Sequence, residues 1–309
     1  TKIPRLIKDD SWLKPFSNLI IERNEMVIRK EEELCKGKSL AEFALGHLYY
    51  GLHKINGKWV FREWAPNATE VYLIGDFSDW KVNHEFALKP VHEGNWEIIV
   101  DAPKLKHGQR YKLLIRWNGG EAYRLPSYGK RMIQDETTKV FDAQVWDPEI
   151  PYTWENTGFK PKNRNLLIYE AHVGMSSEDE KVSTFTEFTQ NVLPRIKKAG
   201  YNTIQLMAVQ EHPYYGSFGY HVSNFFAVSS RFGTPEELKL LVDTAHGMEI
   251  AVIMDLVHSH SVKNELEGLG MFDGTGTQYF LTGERRLHKA WDSLCFNYSR
   301  PEVIHFLLS

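Results

Sequence analysis

The pattern of apolar and polar residues changes twice along the chain and divides it into three parts. Between residues 13 and 35, apolar side chains recur at near-helical intervals among charged ones. This spacing predicts an amphipathic helix, or a pair of helices broken near Asn24. We assign residues 1–40 to this N-terminal helical segment.

Residues from about 50 to 146 form short strands separated by Asn-Gly and other glycine-containing turns. The strand segments are KWVFREWA, EVYLIGDF, NWEIIVDAP, RYKLLIRW, EAYRLPS and KVFDAQV. Strands at this spacing predict an antiparallel β-sandwich, which we assign to residues 41–150. Because successive strand residues face opposite sides, Phe61 and Trp64 cannot both point into the core between its two sheets.

Beyond residue 146 the pattern alternates between buried strands and amphipathic helices. A segment with three prolines, WDPEIPYTWENTGFKPK, predicts a surface linker, and the predicted strands are LLIYEAHV, YNTIQLMAV and IAVIMDLVH. The intervening helices lie in TFTEFTQNVLPRIKKAG and TPEELKLLVDTAHG. The pattern predicts a capping box from Thr184 to Glu187 at the start of the first helix. The second helix has Thr234 as N-cap with Glu237 completing a capping box, Pro235 at its first position and Gly247 at its end. This order predicts a parallel sheet with right-handed crossovers over residues 151–309, either doubly wound or the start of a (β/α)₈ barrel.

Composition and charge are those of an ordinary globular protein and exclude several classes of partner. The net charge is −3 and the isoelectric point is near 6.5, with no run of Lys and Arg, so no nucleic-acid partner is expected. No apolar run approaches the roughly 20 residues that span a bilayer, and the first residues lack the apolar region of a signal peptide. Two distant cysteines, Cys35 and Cys295, favour a reduced, cytoplasmic protein.

Polar residues follow the third predicted strand, in the stretch AVIMDLVHSH. Asp255, His258 and His260 lie at or just past its end, and residues 210–222 lie just past the second strand. Ligands of both parallel folds bind beyond the carboxyl ends of the strands, so these two loops are expected to share one rim. Asp255 could accept sugar hydroxyls there or cap neighbouring N–H groups, while strand alternation assigns His258 to packing. Without an HExxH motif or a cysteine cluster, no metal site is predicted.

Aromatic residues are numerous, with nine Trp, fourteen Tyr and seventeen Phe. They suit large cores, and they also suit sugars, whose apolar C–H faces stack on flat rings. The rings of residues 210–222 predict either a packed lid or a stacking platform for a pyranose. In the sandwich, Trp80 follows the polar loop GDFSD and is the best candidate for exposure, whereas core positions are expected for most of Trp64, Trp96 and Trp117.

Several segments resemble families of proteins that act on α-glucans. REWAPNATEVYLIGDFSDW resembles the isoamylase-type carbohydrate-binding module found ahead of α-amylase-superfamily barrels. YEAHVGMSS, EHPYYGSFGYHV, FGTPEELKLLVDTAHGM, DLVHSH and GLGMFDGT together resemble the 1,4-α-glucan branching enzymes, from about Pro4 to the last residue. The resemblance implies a multidomain protein. Its parts would be the N-terminal helical segment, the β-sandwich module, and the first three βα units of a (β/α)₈ TIM barrel that is incomplete in this chain.

The resemblance also implies roles for particular residues. Asp255 would organise the floor of the sugar site, His260 would contact the sugar next to the scissile bond, and Tyr220 would stack on that sugar. In the module, Lys112 is a candidate beside Trp80, because RYKLLIRW resembles the strand that carries a sugar-contacting lysine in related glycogen-binding modules.

The implied reaction cleaves an α-1,4-glucan chain and transfers it to form an α-1,6 branch in glycogen or starch, by a retaining double displacement. In the family, the nucleophile aspartate and the general-acid glutamate follow the fourth and fifth barrel strands. Both would lie beyond Ser309, so no catalytic residue falls within this chain, which is expected to be inactive as given. No cofactor is implied, and the expected partner is an α-glucan polysaccharide, namely glycogen, amylose or amylopectin.

Two other functions share these local features. An α-glucan hydrolase or debranching enzyme would resolve the covalent intermediate with water rather than a sugar hydroxyl, which local sequence does not distinguish. The third possibility is a non-catalytic glycogen-binding fragment, since residues 151–309 number 159, against the roughly 250 of a complete barrel. Three parallel strands alone would leave a long apolar edge open.

Overall fold

Residues 4–162 and 165–309 are described by the computed structural model. The first three residues of the predicted helical segment, and two residues just after the predicted linker, lie outside the described part. The described residues form two compact units. One runs from Leu48 to Asn297, and the other joins the residues before Leu48 to Tyr298–Ser309.

The N-terminal residues form a series of helices. They are α1 (Arg5–Asp9), a 3₁₀ segment (Ser11–Phe16), α2 (Ser17–Cys35), α3 (Leu40–Phe43) and α4 (Gly46–Tyr49). Helix α2 is uninterrupted, so the predicted alternative of a helix pair broken near Asn24 is wrong. Helix α2 contains neither Pro nor Gly. Its backbone hydrogen bonds therefore continue until Lys36, which adopts a left-handed φ of 48°.

The last helix of the chain, Pro301–Leu308, belongs to the same unit as these N-terminal residues. The hydroxyl of Ser309 accepts a hydrogen bond from the backbone N–H of Gly46 at 2.9 Å. The ring of His305 meets the ring of Phe43 edge-on, with 5.2 Å between centroids. The helical unit thus combines residues from both ends of the chain.

The larger unit begins with an antiparallel β-sandwich. Its strands are β1 (Gly51–Ile55), β2 (Lys58–Trp64), β3 (Ala68–Gly75), β4 (Lys89–Pro90), β5 (Asn95–Asp101), β6 (Arg110–Trp117), β7 (Gly120–Arg124), β8 (Met132–Gln134) and β9 (Phe141–Gln144). One sheet has the order β1-β2-β5-β4, and the other has β3-β6-β9-β8 with β7 paired to β6. The six predicted strands and the predicted sandwich are confirmed. The pattern missed β1, β4 and β8.

Alternation along β2 separates two aromatic rings. Phe61 points between the sheets, where its ring lies 6.4 Å from that of Tyr111 on β6. Trp64 points away from that core, and its ring meets Tyr279 edge-on at 5.3 Å. Both side chains are buried. The prediction that one ring leaves the inter-sheet core is therefore confirmed, although that ring is covered by a later segment of the chain.

The remainder of the larger unit alternates strands and helices. The strands are β10 (Ile168–Ala171), β11 (Thr203–Leu206), β12 (Gln210–Glu211), β13 (Asn224–Val228), β14 (Ala251–Met254), β15 (His260–Ser261), β16 (Leu287–His288) and β17 (Ser293–Cys295). Strands β10, β11 and β14 pair in parallel in that order, which confirms the predicted strand–helix–strand arrangement. Ile168 and Tyr169 of the edge strand β10 are exposed, as expected for an open apolar edge.

The helices between the parallel strands begin at capping boxes. The first comprises α5 (Phe185–Glu187), a wide π-helical turn (Phe188–Val192) and α6 (Leu193–Lys198), and it begins at Thr184. The second is α7 (Pro235–Gly247), with Thr234 as N-cap and Pro235 at the first position, as predicted. In the first helix, Pro194 cannot donate a backbone hydrogen bond to the preceding turn, and the π-helical turn lies just before it.

The predicted surface linker contains no helix or strand, yet it is anchored to α7. The carboxylate of Asp243 accepts hydrogen bonds from the hydroxyl of Tyr152 and from the backbone N–H groups of Glu155 and Asn156, each at 2.8 Å. These bonds hold the pKa of Asp243 at about 2. These bonds fix the path of the linker against α7.

Within the larger unit, the sandwich contacts the segment that follows β15. Gln278 donates from its amide to the carbonyl of Trp64 at 2.6 Å. Arg124 of β7 donates to the carbonyl of Met271 at 2.7 Å. Asn67 donates its backbone N–H to the carboxylate of Asp273 at 3.1 Å. These bonds join the module directly to the loop that the motif GLGMFDGT occupies.

Candidate functional site

Asp255 stands at the carboxyl end of β14, where it connects two neighbouring elements. One of its carboxylate oxygens accepts from the side-chain amide of Gln205 on β11 at 2.8 Å. The other accepts from the hydroxyl of Tyr220 at 2.9 Å. Both oxygens are therefore occupied by fixed donors. This arrangement orients Asp255 and, through it, the ring of Tyr220.

The loop that carries Tyr220 lies close against the end of β11. Gly219 has a φ of 88°, and a Cβ atom built there would lie 1.9 Å from the carbonyl oxygen of Ala208. Only glycine fits this position, because of both its left-handed backbone and its close approach to another chain segment. Burial, together with the hydrogen bond to Asp255, raises the pKa of Tyr220 to about 12. Tyr220 therefore remains a neutral phenol that donates to the carboxylate.

His260, on β15, completes a connected group with Tyr220 and Asp255. Its side chain is buried, with Nε2 2.9 Å from the backbone carbonyl of Tyr220 and Nδ1 2.8 Å from the hydroxyl of Ser259. A carbonyl can only accept, so Nε2 carries the proton. Burial is the main cause that lowers the pKa of His260, and the neighbouring His221 and His288 lower it further. The imidazole is thus kept neutral.

His258 lies two residues earlier and is half-buried. Burial lowers the pKa of His258 below the ordinary histidine value. Its assignment to packing stays a prediction.

The aromatic residues between β12 and β13 divide into packed and exposed rings. Tyr215 and Phe218 meet the ring of His172 edge-on, with centroids 5.9 and 5.7 Å away, and Phe232 meets the same ring at 5.6 Å. Tyr214 is 67% exposed, and Phe218 is still 41% exposed despite this contact. The packed-lid interpretation therefore describes part of this loop, while Tyr220 points to Asp255.

Sequence reasoning missed Gln205 and an aromatic pair, His288 and Trp291. The rings of His288 and Trp291 stack with centroids 4.2 Å apart, and the ring of Trp291 lies 5.0 Å from that of His260. Gln205 gave no recognisable pattern, because it sits in an otherwise buried strand. Trp291 follows the polar stretch RRLHKA, which is the same feature that singled out Trp80.

The module candidates lie near adjacent strand ends. Ile74 of β3 pairs with Lys112 of β6, and Trp80 follows six residues after Ile74. Trp80 is 37% exposed, and its indole N–H donates to Asp76 at 2.9 Å. Lys112 forms an ion pair with Asp142 at 2.9 Å. Trp80 is the most exposed of the four tryptophans considered in the sandwich, since Trp64 and Trp96 are buried and Trp117 is half-buried.

An open cavity of about 840 Å³ lies beside the edge strand β10. Its lining includes Tyr169, Glu170 and His172 together with polar residues of the following loop and helix. The lining of this cavity does not include Asp255, Tyr220 or His260. Because the cavity borders the open edge of β10 and contains none of these residues, we do not assign it to the sugar site.

The described residues contain neither a metal-binding cluster nor a membrane-spanning helix. Nowhere in residues 4–162 and 165–309 do three or more His, Cys, Asp or Glu side chains come together as metal ligands. None of the described helices has the length and apolar character that crossing a membrane requires.

Two family models match separate parts of the chain. Residues 49–129 match carbohydrate-binding module 48, the isoamylase N-terminal domain, and residues 179–270 match the alpha amylase catalytic domain. Fold and matches together define a carbohydrate-binding module followed by the first βα units of an α-amylase-type barrel.

Over nearly its whole length the chain is highly similar to 1,4-alpha-glucan-branching enzymes. It is 45% identical to that of Dictyostelium discoideum, over 99% of this chain and 46% of the relative. The enzyme of Rhizophagus irregularis is 46% identical, with the same shares covered, and that of Equus caballus is 44% identical over 99% of this chain and 44% of the relative. The chain thus spans a little less than half the length of these relatives.

Solved structures share the fold at lower sequence identity. A pullulanase from Bacillus acidopullulyticus aligns with a TM-score of 0.67 at 20% identity, covering 83% of this chain and 35% of that one. Pullulanase type I from Bacillus subtilis aligns with a TM-score of 0.68 at 20% identity, covering 83% and 40%. These similarities show the fold, and they decide the parallel sheet in favour of a barrel over a doubly wound sheet.

Proposed function

We propose that the full-length protein containing this chain is a 1,4-α-glucan branching enzyme. It would cleave an α-1,4-linked chain and transfer the released segment to a sugar 6-hydroxyl, forming an α-1,6 branch. The observation that carries this proposal is similarity to branching enzymes through both the module and the barrel portion, over 99% of the chain. The natural polymer would be glycogen or starch.

The proposed sugar site is built on the connected group of Asp255, Tyr220 and His260. The ring of Tyr220 would stack on the sugar at the scissile bond, in an orientation set by its hydrogen bond to Asp255. Each oxygen of Asp255 already accepts a bond from a protein side chain, and its proposed role is to organise the floor of the site.

His260 would contact the same sugar through its Nδ1 atom. Its Nε2 is held by the carbonyl of Tyr220, whereas Nδ1 meets only the hydroxyl of the exposed Ser259. A sugar hydroxyl can replace that of Ser259 without leaving a buried group unpaired. A neutral imidazole is suited to accept this bond.

The chemical step requires two carboxylates about 5 Å apart, one as nucleophile and one as general acid. We propose that both come from parts of the full-length protein outside these 309 residues. A sugar hydroxyl then attacks the covalent intermediate in a branching enzyme, and water attacks it in a hydrolase.

The module would hold the polymer through Trp80 and Lys112. The exposed indole of Trp80 supplies a flat apolar surface, and its hydrogen bond to Asp76 restrains the ring. Lys112 would have to donate to a sugar hydroxyl while remaining paired with Asp142. We further propose a reducing, cytoplasmic location, because Cys35 and Cys295 are both free thiols.

The test is to incubate amylose with the full-length protein and to follow iodine staining and reducing ends together. Branching is expected to lower the stain without releasing reducing ends. A rise in reducing ends in step with the loss of stain would identify a hydrolase instead. The 309-residue chain, assayed in parallel and free of host amylase, is expected to change neither quantity. If the 309-residue chain converted amylose, the proposal that the catalytic carboxylates come from other parts of the full-length protein would be refuted.

A further inference from the structure

We propose that Trp291 is a further glucan-binding residue, whose exposed indole receives the glucosyl ring next to the one held at His260. This inference rests on the proposed function. It adds a contact on a different segment from Tyr220 and His260.

Trp291 is attached to the same small sheet as His260. Strands β16 and β17 form a hairpin, and β17 pairs with β15 so that Cys295 lies opposite His260. Trp291 lies in the connection of this hairpin, where its backbone N–H donates to the carbonyl of His288 at 3.2 Å. Pairing of the three strands therefore fixes the position of Trp291 relative to His260.

The ring of Trp291 stacks on a neighbouring ring and is still largely exposed. Its plane is 3° from that of His288, with 4.2 Å between centroids, so the imidazole covers one face of the indole. The residue is nevertheless 52% exposed, so much of its surface remains open to a ligand. A large aromatic ring that serves only as packing is usually buried much more completely.

The surroundings of Trp291 suit an uncharged sugar. His260 lies 5.0 Å from it at an angle of 44°, and both this histidine and the indole are neutral. A pyranose presents an apolar C–H face to a flat ring and hydroxyl groups around its edge. An indole beside an imidazole that contacts the reacting sugar is therefore placed to bind the neighbouring unit of the same chain.

The experiment compares Trp291→Ala and Trp291→Phe in the full-length protein, with Trp12→Ala as control. Trp12 is an exposed tryptophan of the N-terminal helical segment and has no proposed role in binding. The measurements are the Kd for maltoheptaose, kcat and KM on amylose, and the melting temperature. Trp291→Ala should raise Kd and KM about tenfold, the effect of one stacking contact, while kcat stays within about threefold. Trp291→Phe should restore most of the affinity, and Trp12→Ala should match the wild type.

The possible outcomes separate this inference from the proposed function. If the wild type branches amylose while Trp291→Ala binds and turns over normally, the inference fails and the function stands. A loss of melting temperature with unchanged KM would show that Trp291 only packs against the remainder of the chain, which also overturns it. If Trp291→Phe binds maltoheptaose as weakly as Trp291→Ala does, the contact is not ring stacking, and the inference is overturned. A wild-type protein that neither binds maltoheptaose nor branches amylose would refute both proposals.

Discussion

His258 and His260 are separated by one residue, and the structure gives them different surroundings. His260 is buried and bonded to the backbone of Tyr220, whereas His258 is half-buried. Residues two apart in an extended chain point to the same side, so the argument from strand alternation that assigned His258 to packing does not separate it from His260. The difference arises because β15 pairs His260 with β17.

The two histidines should respond differently to the same substitution in the full-length protein. His260→Gln is expected to lower turnover by roughly 30- to 1,000-fold, because one contact to the reacting sugar is worth ~2–4 kcal/mol in the transition state. His258→Gln is the matched control and should lower the melting temperature while turnover per folded molecule stays within a few-fold. Branching rate and melting temperature are measured for both. The proposed site would be contradicted if His258→Gln lost turnover while His260→Gln lost only stability. It would also be contradicted if both variants lost only stability.

Glu63, on β2, is a fully buried carboxyl group. It accepts from the hydroxyl and the backbone N–H of Ser127 and from the backbone N–H of Trp64. Burial raises the pKa of Glu63 to about 7, against these three bonds, which lower it. The phenols of Tyr111 and Tyr279 nearby also have pKa values raised by burial and stay neutral.

Glu63 should make folding stability depend on pH near neutrality. The pKa of Glu63 is higher in the folded state than in the unfolded one. Its contribution to folding stability is therefore fully present below about pH 4.5 and is lost as the pH rises through about 7. A shift of this size corresponds to about 3 kcal/mol. Glu63→Gln should flatten this part of the pH dependence, measured as melting temperature between about pH 5 and 8. An unchanged pH slope in the variant would show that Glu63 does not titrate there.

At the scale of single elements, the beginning of α7 connects three parts of the chain. Glu237 accepts from the backbone N–H of Thr234 and from the hydroxyl of Thr186, which lies in α5, the first turn of the helix between β10 and β11. Arg131, just before β8, donates to the carbonyl of Gly233 at 2.5 Å. The capping box visible in the sequence is thus also a junction between elements.

Removing the N-cap hydroxyl should weaken this junction by a modest, defined amount. Thr234→Ala is expected to lower the free energy of unfolding by about 1 kcal/mol, since the N–H of Glu237 loses its acceptor. Thr234→Ser keeps the oxygen and should stay close to the wild type. Denaturant unfolding of both variants measures the difference. Equal stability of the alanine and serine variants would mean that the hydroxyl is not the stabilising group.

At the scale of the whole molecule, the carbohydrate module is joined to the barrel portion by buried polar contacts rather than by a flexible tether. Arg124 is 3% exposed, and its guanidinium donates to the carbonyls of Met271 and Phe272. Burial lowers the pKa of Arg124. A buried arginine that satisfies two carbonyls makes the loop 271–273 dependent on the module.

Substituting Arg124 should therefore loosen the loop it holds. Arg124→Met keeps an apolar stem and leaves the carbonyls unpaired, and a loss of about 1–3 kcal/mol with faster proteolysis within residues 268–275 is expected. Arg116→Met is the control, because Arg116 forms partly exposed ion pairs with Glu70 and Glu121, and exposed ion pairs contribute little to stability. Equal effects of the two substitutions would contradict a specific role of Arg124 in joining module and barrel.

The sequence by itself determined the element types, because hydrophobic period, turn residues and capping boxes act over short distances. The period of two defined the sandwich strands, and the boxes at Thr184 and Thr234 marked both helix starts. Tertiary structure alone decided which distant residues meet. Gln205 reaches Asp255 because parallel pairing puts their strands side by side, and Trp291 reaches His260 because β17 pairs with β15. Such contacts depend on strand register and loop path, which no local pattern encodes.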